Sequence, residues 1–184
     1  MIIFMGVAGS GKSVQGRMLA DRLALPWLST GEFLRMLISG QDRKDMVEGK
    51  LLNDKQIIKL VQKIFNVADA AHQEFVLDGF PRTAAQADWL LNQAKHGQLD
   101  ITAVVHLVAD DNTVKERLLD RGRQDDTEDA IDERFREFES SSKPIIEHFK
   151  QAGVKILDVN AEGDPETIHE NIRSELNKLK QYAS

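Results

Sequence analysis

Gly6-Val7-Ala8-Gly9-Ser10-Gly11-Lys12-Ser13 is the stretch on which the reading of this chain turns. It fits the phosphate-binding pattern G-x-x-x-x-G-K-[ST] in full. It follows an apolar run at 1–5 and precedes a helical pattern that begins near Lys12, the strand–loop–helix context that the motif requires. Glycines at 6, 9 and 11 let the backbone curl until successive N–H groups point at one anion. The helix N-terminus brings the positive end of its dipole to the same spot. Lys12 can reach the terminal phosphates of a nucleotide, and the Ser13 hydroxyl can take a ligand position on Mg2+. A glycine-rich turn with a chance Lys-Ser is the alternative, and it leaves the matching flanks unexplained.

Outward from the loop the chain alternates strand and helix. Apolar runs at 2–5, 75–78, 101–108 and 154–159 read as buried strands, with a short extended piece at 27–28 after Pro26. Between them lie helical patterns at 12–24, 30–39, 53–71, 83–95, 112–120 and 126–150. In the first, Val14, Met18, Leu19 and Leu23 are the apolar positions. In the longest, Ile131, Phe135, Phe138, Ile145 and Phe149 recur at helical spacing. A final helix opens with Asp164 as cap and Pro165 at its first position, and carries the stripe Ile168, Ile172, Leu176 and Leu179. Strands this apolar, separated by helices, predict an α/β protein: a five-stranded parallel sheet covered by helices on both faces, a three-layer sandwich.

A chain of 184 residues is sized for one domain with a sizeable core. The net charge of −6 argues against a general nucleic-acid binder, whose footprint would be basic. Without cysteine there are no disulfides and no Cys-based zinc sites. No apolar run has the length of a membrane span, and the N-terminus lacks the basic-then-apolar order of a signal peptide. The expectation is a cytoplasmic protein with no membrane partner. His72, His96, His106, His148 and His169 read as surface or edge residues, and Trp27 and Trp89 as packing residues.

Three further segments carry chemistry. Asp78-Gly79-Phe80-Pro81-Arg82-Thr83 closes an apolar strand, where α/β sheets place their ligands. A carboxylate there can hold a water on Mg2+, Gly79 permits close approach, and Pro81 stiffens the turn that aims Arg82. Arg117 and Arg121 share a helix face, Arg123 follows Gly122, and Arg134 lies on the long helix. Any one of these arginines could pair with surface acids, for which Asp120, Asp125, Asp126, Glu133 and Glu137 are available. Several cations around one centre suit phosphoryl transfer, whose transition state spreads charge over three equatorial oxygens. Ser29-Thr30-Gly31-Glu32-Phe33-Leu34-Arg35 reads first as a helix start, with Ser29 and Glu32 as a capping box. Thr30 and Arg35 could also meet a second nucleotide.

Together these segments resemble the adenylate kinase family of the nucleoside monophosphate kinases. Glu48-Gly49-Lys50-Leu51-Leu52, Gln86 after Asp78–Thr83, Arg117-Leu118-Leu119-Asp120-Arg121-Gly122, Arg123-Gln124-Asp125-Asp126 and Asn160-Ala161-Glu162-Gly163 complete the likeness, in order along the chain. The resemblance implies reversible transfer of the terminal phosphoryl group from Mg-ATP to AMP, giving two ADP. It implies that Gly9, Ser10, Gly11, Lys12, Ser13 and Val14 hold ATP, with Lys12 on the transferred phosphate and Asp78 holding Mg2+ through water. Arg117 would stack on the ATP adenine, and the backbone near Glu162 and Gly163 would border that base. Thr30, Arg35, Gly79, Arg82 and Gln86 would line the monophosphate site, with Arg35 and Arg82 on the phosphate and Gln86 reading the base edge. The backbone at Lys50, Leu51 and Leu52 would border the same base. Arg121, Arg123 and Arg134 would clamp the phosphoryl group in flight.

The same resemblance implies one kinase domain over 1–184. Its core would span 1–29, 70–120 and 124–184, its monophosphate-binding segment about 30–69 and its lid about 121–125. There are departures from the family pattern. Ala8 replaces the usual proline, Ser13-Val14 replaces the usual Gly-Thr, and the segment between Ser39 and Asn53 is short. Only Gly122 separates Arg121 from Arg123, so the lid is pared to a minimum. A monomer is expected, unless a neighbouring subunit completes that lid. A kinase of UMP, CMP or GMP, a nucleotide-binding regulatory protein without transfer, and a phosphate-loop hydrolase are the competing readings.

Overall fold

The computed structural model describes residues 1–37, 40, 44, 53–69, 71–123 and 126–182. Its strands are β1 (Ile2–Met5), β2 (Trp27–Ser29), β3 (Val76–Asp78), β4 (Ala103–Val108) and β5 (Ile156–Asn160). All neighbours pair in parallel, in the order β2-β3-β1-β4-β5. The helices are α1 (Lys12–Leu23), α2 (Thr30–Leu37), α3 (Asp54–Val67), α4 (Ala84–Lys95), α5 (Asp111–Arg121), α6 (Glu128–Glu137), α7 (Lys143–Gln151) and α8 (Pro165–Tyr182).

The pleat of β1 divides the core. Met1, Ile3 and Met5 face one side, where Ile57, Val61 and Phe65 of α3, Ala87 and Leu90 of α4, and Ile145 and Phe149 of α7 cover the sheet. Ile2 and Phe4 face the other side, packed with Leu19 and Ala20 of α1 and Ile168, Ile172 and Leu176 of α8. A smaller cluster of Val7, Val114, Leu118 and Ile131 ties the phosphate loop to α5 and α6. The expected three-layer α/β sandwich is therefore what forms. From β1 the chain winds to one side for β2 and β3 and to the other for β4 and β5. The carboxyl end of β1 is thus the switch point where such sheets bind ligands.

Local differences from the sequence reading have identifiable causes. Helix α1 buries Gln15, Gly16, Leu19 and Ala20, while Val14 is 52% and Leu23 38% exposed. The Gln15 Nε2 donates to the Pro165 carbonyl at 2.8 Å, which offsets part of the cost of burying the amide. No capping box forms at 29–32. Ser29 Oγ donates to Asp78 instead, Thr30 is already helical, and Glu32 reaches Arg17 at 3.3 Å. Helix α3 stops at Val67, and Asp69 has left the helical region at a φ of 50°. The predicted long helix does not start at Asp126, whose carboxylate is occupied by arginines. Thr127 caps α6 in its place, accepting from the Ala130 N–H at 3.3 Å. That helix is then interrupted by a π turn at Phe138–Ser142 before α7. His169 is buried rather than exposed, and burial lowers its pKa. Trp89 packs beside Phe65 and Phe80, and Trp27 lies under the Arg17 guanidinium at 4.4 Å. Among the described residues no helix is long and apolar enough to cross a membrane.

Candidate active site

The phosphate loop sits where β1 hands over to α1, and Gly11 caps the helix at a φ of 98°. Lys12 folds back along the loop. Its ammonium donates to the carbonyls of Gly6 and Val7, at 2.7 Å each. Desolvation at the floor of the cleft lowers its pKa to about 8, against the supporting charge of Asp78.

Sheet register delivers the next group. Asp78 lies opposite Phe4 of β1 and Ser29 of β2, so its carboxylate emerges beside the loop. It accepts from Ser13 Oγ at 2.6 Å and from Ser29 Oγ at 3.2 Å. Its main-chain carbonyl accepts from Thr30 Oγ1 at 3.2 Å, which holds α2 against the end of β3. Gly79 is required there. Its φ is 81°, and a Cβ would lie 2.8 Å from Thr30 Oγ1. The Phe80–Pro81 peptide is cis.

Beyond that turn Arg82 meets Glu137 at 2.7 Å, and Glu137 also accepts from Ser142 Oγ at 3.0 Å. The Arg82 N–H donates to Gln86 Oε1 at 2.8 Å, so the first turn of α4 ties the two residues together. Across the cleft Asp126, with no exposed side-chain surface, gathers the arginines. Arg121 donates to it through Nε at 2.8 Å and Nη2 at 2.5 Å, Arg134 through Nη1 at 3.0 Å, and the Arg123 main chain at 3.1 Å. Burial alone would raise the Asp126 pKa. Arg121, the Arg123 N–H and Arg134 outweigh it and hold the carboxyl below its ordinary value. Arg117 donates to the carbonyls of Ala161 at 2.9 Å and Gly163 at 3.4 Å.

One cleft of about 580 Å³ collects these groups. Gly9 to Val14, Thr30, Arg35, Asp78, Gly79, Arg82, Gln86, Arg117, Arg121, Arg123, Arg134 and Gly163 all line it. Glu162 does not line it, and its carboxylate accepts from the Asp110 N–H at 3.1 Å. Lys50, Leu51 and Leu52 lie outside the described residues. Two acids that the sequence offered only as surface partners have places in the site: Glu137 lines the cleft and Asp126 is buried behind the arginines. Asp54, which accepts from the Gln86 amide, was not singled out by any spacing. A cleft this rich in guanidinium groups, in a chain of net charge −6, suits strongly anionic ligands.

The model of the family described as adenylate kinase matches residues 4–154 of the chain. The chain belongs to the adenylate kinase family. It is similar over nearly its whole length to proteins that carry the name adenylate kinase. That of Corynebacterium urealyticum is 36% identical over 183 residues, covering 96% of this chain and 99% of the relative. That of Synechococcus sp. is 37% identical over 181 residues, covering 95% and 97%. That of Prochlorococcus marinus is 32% identical, covering 95% and 96%. The sheet order β2-β3-β1-β4-β5 is the fold expected of that family.

Proposed function

We propose that this cleft catalyses ATP·Mg + AMP ⇌ 2 ADP, with its residues divided between donor, acceptor and transferred group. Membership of the family makes the chain an ATP:AMP phosphotransferase. The observation that carries the division of roles is that a single cleft holds the phosphate loop, Arg35 with Arg82 and Gln86, and Arg121 with Arg123 and Arg134. Simple ATP binding needs fewer cations. In this reading the loop from Gly9 to Val14 cradles ATP and Arg117 lies against its base. Gly163 and the backbone at Glu162 border that base. Thr30, Arg35, Gly79, Arg82 and Gln86 receive AMP, with 50–52 bordering its base.

The residues present fit Mg2+. Ser13 Oγ and the Asp78 carboxylate are hard oxygen donors 2.6 Å apart beside the loop, the set this ion takes together with phosphate oxygens and water. When bound, the ion neutralises charge on the phosphates. The protein's own part is positional and electrostatic. Lys12 follows the transferred phosphate, Arg35 and Arg82 orient the AMP phosphate, and Arg121, Arg123 and Arg134 surround the charge that develops between them. No covalent intermediate or strong base is required. A cytoplasmic location is consistent with a chain that lacks cysteine.

The test is ADP formation from Mg-ATP with AMP, UMP, CMP, GMP and no acceptor in parallel. AMP-dependent turnover well above the rest supports the reading, and strong turnover with another monophosphate overturns the assignment of Gln86. The reduced lid at about 121–125 gives the no-acceptor arm its own meaning. We expect measurable ATP hydrolysis without AMP, because a minimal lid excludes water poorly unless a second subunit completes it. Negligible hydrolysis by a monomer would sink both versions of that expectation.

Lys12 supplies a second expected result. Its pKa near 8 rather than 10.5 means that between these values the folded apoprotein binds fewer protons than the unfolded chain. Raising pH through that window therefore favours the folded apoprotein. Phosphates placed beside the ammonium pull the pKa back up. ATP binding at about pH 8.5 should thus take up a fraction of a proton, read by calorimetry in buffers of different ionisation enthalpy. Lys12→Ala should abolish the uptake; unchanged uptake in that variant would assign it elsewhere.

A further inference from the structure

We propose that Asp54 sets the specificity for the acceptor base, by fixing which way the Gln86 amide faces. The inference rests on the assignment of Gln86 to that base. Gln86 is only 3% exposed yet lines the cleft, whereas Asp54, in the first turn of α3, does not line it. The Gln86 Nε2 donates to Asp54 Oδ1 at 2.8 Å, while its Oε1 accepts from the Arg82 N–H at 2.8 Å. Asp54 Oδ1 also accepts from Thr83 Oγ1 at 2.7 Å, which holds the carboxylate at the start of α4. An ionised carboxylate can only accept and a main-chain N–H can only donate. The two together allow one amide orientation. The flipped amide would set oxygen against carboxylate at one end and N–H against N–H at the other.

Each bond uses half of the capacity of its atom. One N–H and one lone pair remain for a ligand, in an order the protein has fixed. The acceptor phosphate, held by Arg35 and Arg82, fixes in turn how the base enters. Order then decides the match. The edge of a 6-aminopurine presents an N–H donor at position 6 and a bare nitrogen acceptor at position 1. A 6-oxopurine presents the reverse, an oxygen acceptor and an N–H donor. The pinned amide pairs with the first and opposes the second, and a buried polar group left opposed discriminates strongly. Asp54 is therefore a positioning residue that touches no substrate, and acts through Gln86.

The test compares AMP with IMP, which differ only along that edge, as acceptors for the wild-type protein, Asp54→Ala, Asp54→Asn and Gln86→Ala. Asp54→Ala frees one end of the amide. The ratio of kcat/KM for AMP to that for IMP should fall at least about tenfold, through a higher KM for AMP with little change for IMP. Asp54→Asn keeps an oxygen acceptor in place and should retain most of the ratio. Should alanine prevent folding, the asparagine variant still carries the test, with a smaller fall in the same direction. A ratio unchanged in both variants, or equal increases in both KM values, overturns the proposal, because loss of α3 packing alone would weaken both acceptors alike. Gln86→Ala separates the two levels. If it leaves the KM for AMP at the wild-type value, the assignment of Gln86 has failed. If it raises that KM while the Asp54 variants keep their selectivity, only the role of Asp54 has failed.

Discussion

Lys12→Ala should cut phosphoryl transfer by a hundredfold or more while leaving the protein folded. The rate follows from where the ammonium sits. It is held at the end of the phosphate loop by the carbonyls of Gly6 and Val7, beside the place proposed for the transferred phosphate. A donor of this kind acts mainly on charge that develops in the transition state, and losing one typically costs about 3–4 kcal/mol. Stability should respond in the opposite sense or not at all. Desolvation already lowers the Lys12 pKa to about 8, so the folded protein gains little from this charge at neutral pH. The carbonyls it leaves face a cleft that water can enter. The check is kcat/KM for AMP at saturating Mg-ATP beside a thermal melt. Near-normal turnover by a folded variant would remove Lys12 from the chemistry. A large drop in melting temperature would mean that the loop needs its lysine to fold, and that the rate loss says nothing about catalysis. Lys12→Arg should recover little, since a guanidinium is wider and cannot follow the same narrow path between the two carbonyls.

What could be read from the sequence was local. The phosphate loop declares itself by spacing and flanks because strand, turn and helix lie next to one another in the chain. Asp78 was legible because it ends an apolar strand, and strand ends are where parallel sheets expose chemistry. The arginines were legible as a set, with Asp126 and Glu137 among the acids open to them, but which acid meets which arginine was not. Arg82 meets Glu137 across 55 residues, and Gln86 meets Asp54 across 32, so no periodicity brings either pair together. The same limit explains the errors. Ser29 and Glu32 fit a capping box until Asp78, 49 residues away, takes the serine hydroxyl. Val14 reads as an apolar position of α1 yet is exposed, whereas Gln15 is buried, its Nε2 donating to the Pro165 carbonyl 150 residues away. The stripe from Ile131 to Phe149 does run along one helical path. The π turn within it is invisible to a pattern that only counts apolar positions. It lets Glu137, Phe138 and Ser142 line the cleft while Ile145 and Phe149 enter the core.

Asp126→Ala should do damage of two kinds. The carboxylate is fully enclosed and bound by Arg121, Arg134 and the Arg123 main chain. Removing it leaves the Arg134 guanidinium, only 8% exposed, without this partner. Opening a buried pair from one side typically costs about 3–5 kcal/mol. The lower end, about 3 kcal/mol, is expected here because Arg121 is 32% exposed and can be solvated. Urea denaturation at pH 7 measures it. Acid adds a signature. The Asp126 pKa is held below its ordinary value of 3.8, so its contribution is fully present above that value and is lost as pH falls through the lowered one. The alanine variant should therefore show a flatter acid limb than the wild type. Activity should fall too, by about a hundredfold in kcat, because Asp126 fixes the guanidinium groups proposed to clamp the phosphoryl group and a shift of about 1 Å in such a group is enough. Asp126→Asn distinguishes the two effects. It keeps one acceptor oxygen but sets an NH2 donor against two of the N–H groups that the other oxygen received, so it should retain part of the positioning while losing the charge that stabilises the cluster. If both variants keep kcat while losing stability, the arginines find the phosphoryl group unaided and the network is a structural brace. If kcat falls with stability intact, solvent replaces the carboxylate as far as folding is concerned, and Asp126 serves to position the arginines for the phosphoryl group rather than to brace the fold.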